Sequence, residues 1–425
     1  MDHKGSTEQA REVIRWCRQL AKLSDDRHAT TRTFLSRPMR DVHTALAGWM
    51  SRVGMTVRVD AIGNIRGAYG PRRHEEPRRH DGTKEDEPPR FYIGSHLDTV
   101  PNAGAFDGVL GVVVAIALVE LLGGKRFPFA IEVIGFSDEE GVRFGTPFLG
   151  SHAVAGTFDG ALLDRTDRAG KSLRDAIRDF GLEPSRIPAA HASPHAVGYL
   201  EFHIEQGPVL ENLNLPLAVV DVISGQTRAD LTFIGLAAHA GTTPMKMRRD
   251  ALAGAAAWVA EVEREALTTP DLVATVGRIV VEPGAGNVVP ERAIVSLDVR
   301  HPADGMRKAA AERLLKAAAE IATRRGLRMS CESRLDQPSV AMDASIAGLL
   351  ERAIERTGAR PYRMPSGAGH DAMILGNMMP AGMLFVRCEG GISHHPSENV
   401  REDDVAAALE TGLVFLEELA GARRD

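Results

Sequence analysis

Histidine and carboxylate side chains recur in this sequence at the ends of strand-like segments. His96 and Asp98 close an apolar run and project to the same face, because side chains alternate along a strand. Asp107-Gly108 precedes a helical pattern, and later strand ends carry the runs Asp138-Glu139-Glu140-Gly141, His203-Ile204-Glu205-Gln206-Gly207 and Ser393-His394-His395-Pro396. Open α/β sheets place their sites at the carboxyl ends of strands. The pattern therefore predicts that these groups converge.

Each of these features has a simpler explanation when it is taken alone. A single histidine at a strand end is more often a hydrogen-bonded structural residue than a ligand. An Asp-Gly pair is typical of a turn, and a Glu-Glu pair is typical of a solvated helix start. Their coincidence in a chain with only three cysteines, Cys17, Cys331 and Cys388, favours a His/carboxylate metal site. Such a donor set suits zinc, manganese, cobalt or nickel.

The hydrophobic pattern predicts an α/β fold that would position these residues. Amphipathic helices are expected in residues 8–23 and 39–53, followed by a strand-like stretch at 56–69. Nearly continuous apolar runs then alternate with helices; they lie at residues 91–96, 129–136 and 199–204. Strands without a polar face are covered on both sides, which is typical of an α/β sheet with helices on each face.

The pattern changes at about residue 218, where strand-like segments accompany helices expected at 248–267 and 305–325. Two helices beside a small sheet indicate a compact α+β unit. The first pattern returns with helices at 343–358 and 401–420. We therefore predict a discontinuous catalytic domain, residues 1–217 and 335–425, with an inserted domain at 218–334.

Length and composition agree with two or three globular domains, at about 150 residues per domain. The 425 residues are 44% hydrophobic and 25% charged, which is ordinary for globular proteins. A net charge of -6 argues against nucleic-acid and anionic-membrane partners. No apolar run approaches the roughly 18 residues of a membrane span, and sparse cysteines suit a reducing compartment. We predict a cytoplasmic protein.

Residues 71–90 stand apart in composition. Twelve of the twenty are charged, six of each sign, and proline supplies the only apolar side chains. Such a segment buries no apolar face, so it is predicted to be a solvated loop. The alternative function is a basic recognition patch. It is disfavoured because the six acidic residues of the segment balance its six basic ones.

Eight segments of the chain resemble the hydantoinase/carbamoylase amidases, a branch of the M20 metallopeptidase superfamily. This branch holds allantoate amidohydrolases, N-carbamoyl-L-amino-acid hydrolases and β-ureidopropionases. The segments occur in family order and are Gly94-Ser95-His96-Leu97-Asp98-Thr99-Val100, Phe106-Asp107-Gly108, Glu139-Glu140-Gly141, His203-Ile204-Glu205-Gln206-Gly207, His239-Ala240-Gly241-Thr242-Thr243-Pro244-Met245, Asn287-Val288-Val289-Pro290, Ser366-Gly367-Ala368-Gly369-His370-Asp371-Ala372 and Gly391-Ile392-Ser393-His394.

The resemblance implies a catalytic domain with two divalent metal ions and an inserted lid through which the protein forms a homodimer. His96 and His203 would hold one ion, and Glu140 and His394 the other. Asp107 would bridge both ions. Asp98 would hydrogen-bond the second ring nitrogen of His96, and His395 receives no role.

The resemblance also assigns the catalytic and substrate-binding residues. Glu139 would be the general base, and His239, from the neighbouring subunit, would stabilise the oxyanion. Arg300 would bind the substrate carboxylate with its planar guanidinium. The ureido group would be bound by side-chain amides and by a segment whose glycines allow close backbone approach; these residues are Gln206, Asn287, Gly367, Ala368 and Gly369.

The implied activity is hydrolysis of the ureido C–N bond of a small carboxylate, allantoate or an N-carbamoyl-L-amino acid, with release of ammonia and carbon dioxide. An aminoacylase or dipeptidase of the same superfamily is the alternative enzyme, and His203 together with the substrate-binding residues disfavours it. A non-catalytic binding protein would lack the base or a ligand, whereas this sequence keeps Glu139 and all five metal positions.

Overall fold

The computed structural model describes residues 3–71 and 88–422. Most of the segment predicted to be a solvated loop, residues 72–87, lies outside the described residues. Two compact units are present. The larger unit contains Met1–Asp221, Ala341–Met364 and Gly369–Asp425, and the smaller contains Val222–Val340 and Pro365–Ala368.

The described secondary structure follows the predicted pattern of apolar residues. The strands are β1 (Thr56–Val59), β2 (Ile65–Tyr69), β3 (Arg90–His96), β4 (Ala130–Phe136), β5 (Ala196–Ile204), β6 (Leu217–Ile223), β7 (Gly225–Ile234), β8 (Ala238–His239), β9 (Val273–Thr275), β10 (Ile279–Glu282), β11 (Val288–Val289), β12 (Arg292–His301), β13 (Arg328–Gln337), β14 (Val340–Ala341), β15 (Arg363–Ser366) and β16 (Ala381–Val386). The helices are α1 (His3–Ala21), α2 (Arg37–Arg52), α3 (Val109–Leu121), α4 (Leu149–Ala155), α5 (Leu173–Asp179), α6 (Val209–Leu213), α7 (Ala251–Thr268), α8 (Asp304–Arg324), α9 (Ala344–Arg356), α10 (Asp371–Leu375) and α11 (Glu402–Gly421).

The larger unit is built on a mixed sheet whose central strands follow the order β2-β4-β3-β5-β16-β6. The four inner strands β4, β3, β5 and β16 run parallel. Every residue of β4 is buried, and α3 is apolar around its whole circumference and almost entirely buried. A helix with no polar face needs protein on all sides, and α3 packs on β3, β4 and β5. The predicted α/β fold is confirmed.

The smaller unit is an antiparallel sheet, β10-β12-β7-β13, with β9 also paired to β12. Buried and partly exposed residues alternate along β12, because successive side chains of a strand point to opposite faces. Its apolar face packs on α7 and α8 around the buried Trp258. Polar side chains, among them Asp298 and Arg300, occupy the other face.

The boundaries of the smaller unit differ from the expected 218–334 at both ends. It begins at Val222, because the first part of β6 pairs with β16 in the larger sheet. It ends at Val340, because β13 continues to Gln337, and it also includes Pro365–Ala368. The chain leaves and re-enters the larger unit at adjacent points, where the Met342 N–H donates to the Asp221 carbonyl over 2.9 Å.

None of the described helices has the length and apolar character needed to cross a membrane.

Candidate active site

The strand ends of the larger unit bring the five predicted metal ligands together. His96 ends β3, Glu140 follows β4, His203 lies near the end of β5 and His394 follows β16. Asp107 lies in the loop before α3. Potential ligand atoms of His96, Asp107 and His203 lie within 4.8 Å of one another, as do those of Asp107, Glu140 and His394. The parallel strands explain this convergence, because their carboxyl ends meet at one edge of the sheet.

Asp107 lies between two groups of ligands. Its Oδ1 is 3.4 Å from Nε2 of His203 and 4.0 Å from Nε2 of His96. Its Oδ2 is 3.1 Å from Nε2 of His394, which is 3.5 Å from Oε1 of Glu140. Each carboxylate oxygen therefore faces a different group, which is the arrangement of a bridging ligand.

Gly108 allows Asp107 this position. Its φ of +66° lies in the left-handed region, and a Cβ there would lie 2.4 Å from Nε2 of His96. Any side chain at this position would displace the imidazole.

The unprotonated Nε2 atoms of the buried residues His96 and His203 face each other. Nδ1 of His96 lies 2.9 Å from the Asp98 carbonyl, and Nδ1 of His203 lies 2.9 Å from the Ile204 carbonyl. A carbonyl only accepts, so in each ring the hydrogen is on Nδ1 and Nε2 carries a lone pair. The two Nε2 atoms are 3.4 Å apart, and burial lowers the pKa of His96 to about 4. Facing lone pairs beside a carboxylate oxygen fit a shared cation.

The adjacent carboxylates also fit divalent cations. Burial, followed by the charge of Glu140, raises the pKa of Glu139 well above its ordinary value. Burial and the charge of Asp107 raise the pKa of Glu140 to about 8. Buried Asp138, beside Asp98, has its pKa raised in the same way. Burial and mutual repulsion thus oppose ionisation of these carboxyl groups, and a bound cation would favour their ionised form.

His394 completes the second group and carries the opposite pKa shift from that of His96. A hydrogen bond to Asp107, with the charges of Asp107 and Glu140, raises the pKa of His394 to about 9. The residue has a φ of +55°, in the left-handed region, and its side chain is about half exposed. Such backbone strain concentrates at functional sites.

Asp98 makes different contacts from those predicted. The partner of His96 Nδ1 is the backbone carbonyl of Asp98, whereas the nearest carboxylate oxygen is 3.7 Å from that nitrogen. The carboxylate instead accepts the backbone N–H groups of Glu139 at 2.9 Å and Glu140 at 3.1 Å. Asp98 therefore fixes the turn that carries both glutamates.

Gln206 lies beside the bridging carboxylate. Its Nε2 donates to Oδ1 of Asp107 over 2.9 Å and to Oγ of Ser393 over 3.2 Å. Its Oε1 is buried and has no hydrogen-bond partner among the described residues. The side chain therefore has one free acceptor next to the metal ligands.

The remaining predicted residues belong to the smaller unit, except Gly369. Nδ1 of His239 accepts the N–H groups of Gly241 at 3.1 Å and Thr242 at 3.2 Å, which places its hydrogen on Nε2 as a free donor. The backbone carbonyl of Asn287 accepts from Ala240 over 2.9 Å, because β8 and β11 pair. Arg300 donates to the carbonyl of Gly367 over 2.7 Å.

Comparison with known proteins decides the family. Residues 92–418 match the sequence profile of Peptidase family M20/M25/M40. The chain belongs to the M20 family. It is 37% identical to a probable allantoate deiminase of Oryza sativa subsp. japonica, over 96% of this chain and 88% of that relative. It is 38% identical to an N-carbamoyl-L-amino acid amidohydrolase of Geobacillus stearothermophilus, over 89% of this chain and 91% of that one.

A solved structure shares the fold of this M20 chain. It is an amidase of the hydantoinase/carbamoylase family from Burkholderia multivorans, with a TM-score of 0.87 and 31% identity. The match covers 97% of this chain and 98% of that one. The resemblance seen in the sequence motifs is therefore confirmed for nearly the whole length.

The sequence reasoning missed one residue that organises this M20 site. Oε1 of Glu398 accepts the N–H groups of Phe106 at 2.7 Å and Asp107 at 3.0 Å. Its Oε2 accepts from Ser393 over 3.3 Å. Glu398 thus joins the loop of Asp107 to the loop of His394. Its one sequence signal is its place four residues after His394, in a segment with the composition of an ordinary loop.

Two further buried residues lie next to His203: His370, which belongs to a family-like segment but received no role from the sequence, and Glu201. The ring of buried His370 lies 4.5 Å from that of His203, centroid to centroid. Buried Glu201 accepts from Oγ of Ser95 over 2.8 Å and from the backbone N–H of Ala372 over 2.8 Å. These contacts fix the end of β5, on which His203 lies.

Proposed function

We propose that this protein is a metal-dependent amidohydrolase that cleaves the ureido C–N bond of a small carboxylate, either allantoate or an N-carbamoyl-L-amino acid. The main support is the arrangement of four potential ligands, His96, His203, Glu140 and His394, around a fifth, Asp107. Glu139 is adjacent to Glu140 in the chain. The names of the relatives support the same bond and substrate class. Water would add to the ureido carbon, giving the free amine and carbamate, which decomposes to ammonia and carbon dioxide.

The proposed metal ligands are those that the sequence predicted. His96 and His203 would hold one divalent ion, Glu140 and His394 the second, and Asp107 both. Zinc, manganese, cobalt or nickel suits this donor set. When bound, the ions supply Lewis acidity that polarises the ureido carbonyl and lowers the pKa of water.

The chain's own residues would move the protons and bind the charges. Glu139 would take a proton from the attacking water and deliver it to the leaving nitrogen. His239 would donate Nε2–H to the oxyanion of the tetrahedral intermediate, a role that its tautomer supports. Arg300 would bind the substrate carboxylate, and the free oxygen of Gln206 would accept from the ureido group.

We also propose a cytoplasmic homodimer that forms through the smaller unit, with His239 acting in the partner's site. The edge strand β10 supports this proposal, because Ile279 and Val280 expose 48% and 39% of their surface on it. An apolar edge strand with free backbone groups is suited to pairing with a second copy.

An ammonia-release assay tests the proposed activity. The protein, reconstituted in turn with Zn²⁺, Mn²⁺, Co²⁺ and Ni²⁺, is offered allantoate, N-carbamoyl-L-alanine and β-ureidopropionate. N-acetyl-L-alanine and an alanyl dipeptide serve as competing substrates, and Glu139→Gln is the inactive control. We expect ammonia from a ureido substrate. Hydrolysis of the acetylated amino acid or dipeptide, without ammonia from any ureido compound, would overturn the proposal in favour of an aminoacylase or dipeptidase.

A further inference from the structure

A hydrogen-bonded cluster surrounds Asp298 on the polar face of the smaller unit's sheet. The register of β7 and β12 places Arg228 opposite Asp298 and Gln226 opposite Arg300. Oδ2 of Asp298 accepts from Nε of Arg228 at 2.9 Å and from Nε2 of Gln226 at 3.0 Å. Nε and Nη2 of Arg300 bind Oδ1 and Oδ2 at 2.9 and 3.0 Å. The carboxylate therefore holds three side chains at once.

This contact determines which edge of Arg300 stays free. A guanidinium has five N–H groups in one plane. Asp298 takes the edge formed by Nε and Nη2, and the Gly367 carbonyl takes one hydrogen of Nη1 at 2.7 Å. One hydrogen remains on each of Nη1 and Nη2. N–H groups on the two Nη atoms of one guanidinium form the fork that binds the two oxygens of a carboxylate.

The second guanidinium is held in the same way. Arg228 donates through Nε to Asp298, which leaves its Nη groups without a hydrogen bond to the described residues. Both guanidinium groups line a cavity of about 530 Å³, together with Val273 and Thr275. Two positive charges share one negative charge, so the cluster keeps an excess of positive charge beside the cavity.

The Asp298 carboxylate is ionised in this cluster. Burial alone would raise the pKa of Asp298, but the hydrogen bonds and charges of Arg300, then those of Arg228, outweigh it and lower the pKa.

We propose that Asp298 is a positioning residue, which orients Arg300 and Arg228 so that their Nη groups receive the carboxylate of the substrate. This inference rests on the proposed function, since it assumes that Arg300 binds that carboxylate. Asp298 itself touches no substrate atom. Its contribution is to fix a flexible side chain in the binding orientation before the substrate arrives, which reduces the entropy lost on binding.

The Asp298→Asn variant tests this role. The amide keeps the size of the side chain but turns an N–H group towards the guanidinium donors. With the better substrate of allantoate and N-carbamoyl-L-alanine, we expect KM to rise about tenfold, because the fork loses its orientation, and kcat to stay within about twofold. The carboxamide analogue of that substrate should show no change in KM.

Asp336→Asn is the matched control. Asp336 lies on β13 of the same unit and accepts from Nη1 of Arg307 at 2.5 Å, so the variant makes the same change of charge beside an arginine outside the cavity. Its KM should equal that of the wild type. Asp298→Glu, which keeps the charge but moves it by one methylene, should give an intermediate KM for the carboxylate substrate and serves if Asp298→Asn does not fold.

A double variant identifies the residue through which Asp298 acts. In an Arg300→Lys background, Asp298→Asn should raise KM by much less than it does in the wild type, because the guanidinium that Asp298 holds through two hydrogen bonds is gone and only Arg228 remains to be oriented. Fully additive effects, or an equal rise in KM for the carboxylate and the carboxamide, would overturn the proposal. So would an unchanged KM in Asp298→Asn when Arg300→Lys raises it. A wild type that does not distinguish carboxylate from carboxamide would instead refute the proposed role of Arg300.

Discussion

At the residue scale, Glu139 and Glu140 are neighbours with different expected tasks. Glu139→Gln should abolish turnover and keep the metal content, because the amide cannot accept a proton and is not among the proposed ligands. His203→Ala and Asp107→Ala should lose metal, because each removes a donor at the centre of the cluster. Metal analysis of each purified variant checks this expectation. Metal loss from Glu139→Gln would show that both glutamates bind the ions.

Glu398 provides a second prediction at this scale. Glu398→Ala should weaken metal binding by about 10- to 100-fold, the usual effect of removing a partner of a metal ligand. Glu398→Gln should bind metal much better than Glu398→Ala, because its carbonyl oxygen can still accept from Phe106 and Asp107. Competition with a chelator measures both affinities. Equal affinities of the two variants would contradict a positioning role through these hydrogen bonds.

Sequence motifs select the proposed metal ligands but not the residues that position them. His96, Asp107 and His394 occur in short motifs, so local sequence was sufficient to select them. Glu398 acts on a loop 292 residues earlier in the chain, and no local pattern records that contact. Asp98 was predicted to hydrogen-bond the ring of His96, but its carboxylate accepts the backbone N–H groups of Glu139 and Glu140, which the sequence pattern does not place.

At the element scale, α2 contains a buried histidine whose protonation opposes folding. His43 packs against Phe180 at a centroid distance of 5.5 Å, and its Nε2 has no partner among the described residues. Burial, with the charges of Arg32 and Arg40, lowers the pKa of His43 to about 4. Between the unfolded pKa of about 6.5 and this value, the unfolded chain binds the proton and the folded chain does not. The free energy of unfolding therefore falls as the pH falls through this window.

His43→Leu should remove the part of the pH dependence of the free energy of unfolding that His43 contributes. Between pH 6.5 and 4.5 the wild type should lose about 2 to 3 kcal/mol more stability than the variant, at about 1.4 kcal/mol per pH unit. Denaturant unfolding at several pH values measures the difference, and the two proteins serve as each other's reference at pH 7.5, above the window. If the free energy of unfolding changes with pH by the same amount in both proteins, His43 does not titrate in this range.

The elements themselves were predicted well where burial is complete on both faces. Strands β3, β4 and β5 appeared as uninterrupted apolar runs, and α7 and α8 as helical patterns. One of the strand-like segments that follow residue 218, residues 272–281, forms two strands, β9 and β10, because each pairs with a different part of β12. Whether a segment forms one strand or two depends on the distant strand with which it pairs. The local pattern of apolar residues carries no information about that partner.

At the scale of the whole molecule, the proposed dimer predicts complementation between inactive chains. His239→Ala and Glu139→Gln should each be inactive alone. Mixed dimers should regain activity, because one site would combine Glu139 of one chain with His239 of the other. Light scattering establishes the dimer, and differently tagged chains establish subunit exchange. Exchange without recovered activity would show that each chain completes its own site.

The junction between Asp221 and Met342 has a consequence for how this chain can vary. A hydrogen bond of 2.9 Å joins the two points between which the insertion leaves and returns. For the larger unit, residues 222–341 form a loop whose two ends are held together by this hydrogen bond. Closing such a loop costs only about 0.6 kcal/mol more for each doubling of its length. The smaller unit can therefore gain or lose residues at a small loop-closure cost to the larger unit, which carries the proposed metal ligands.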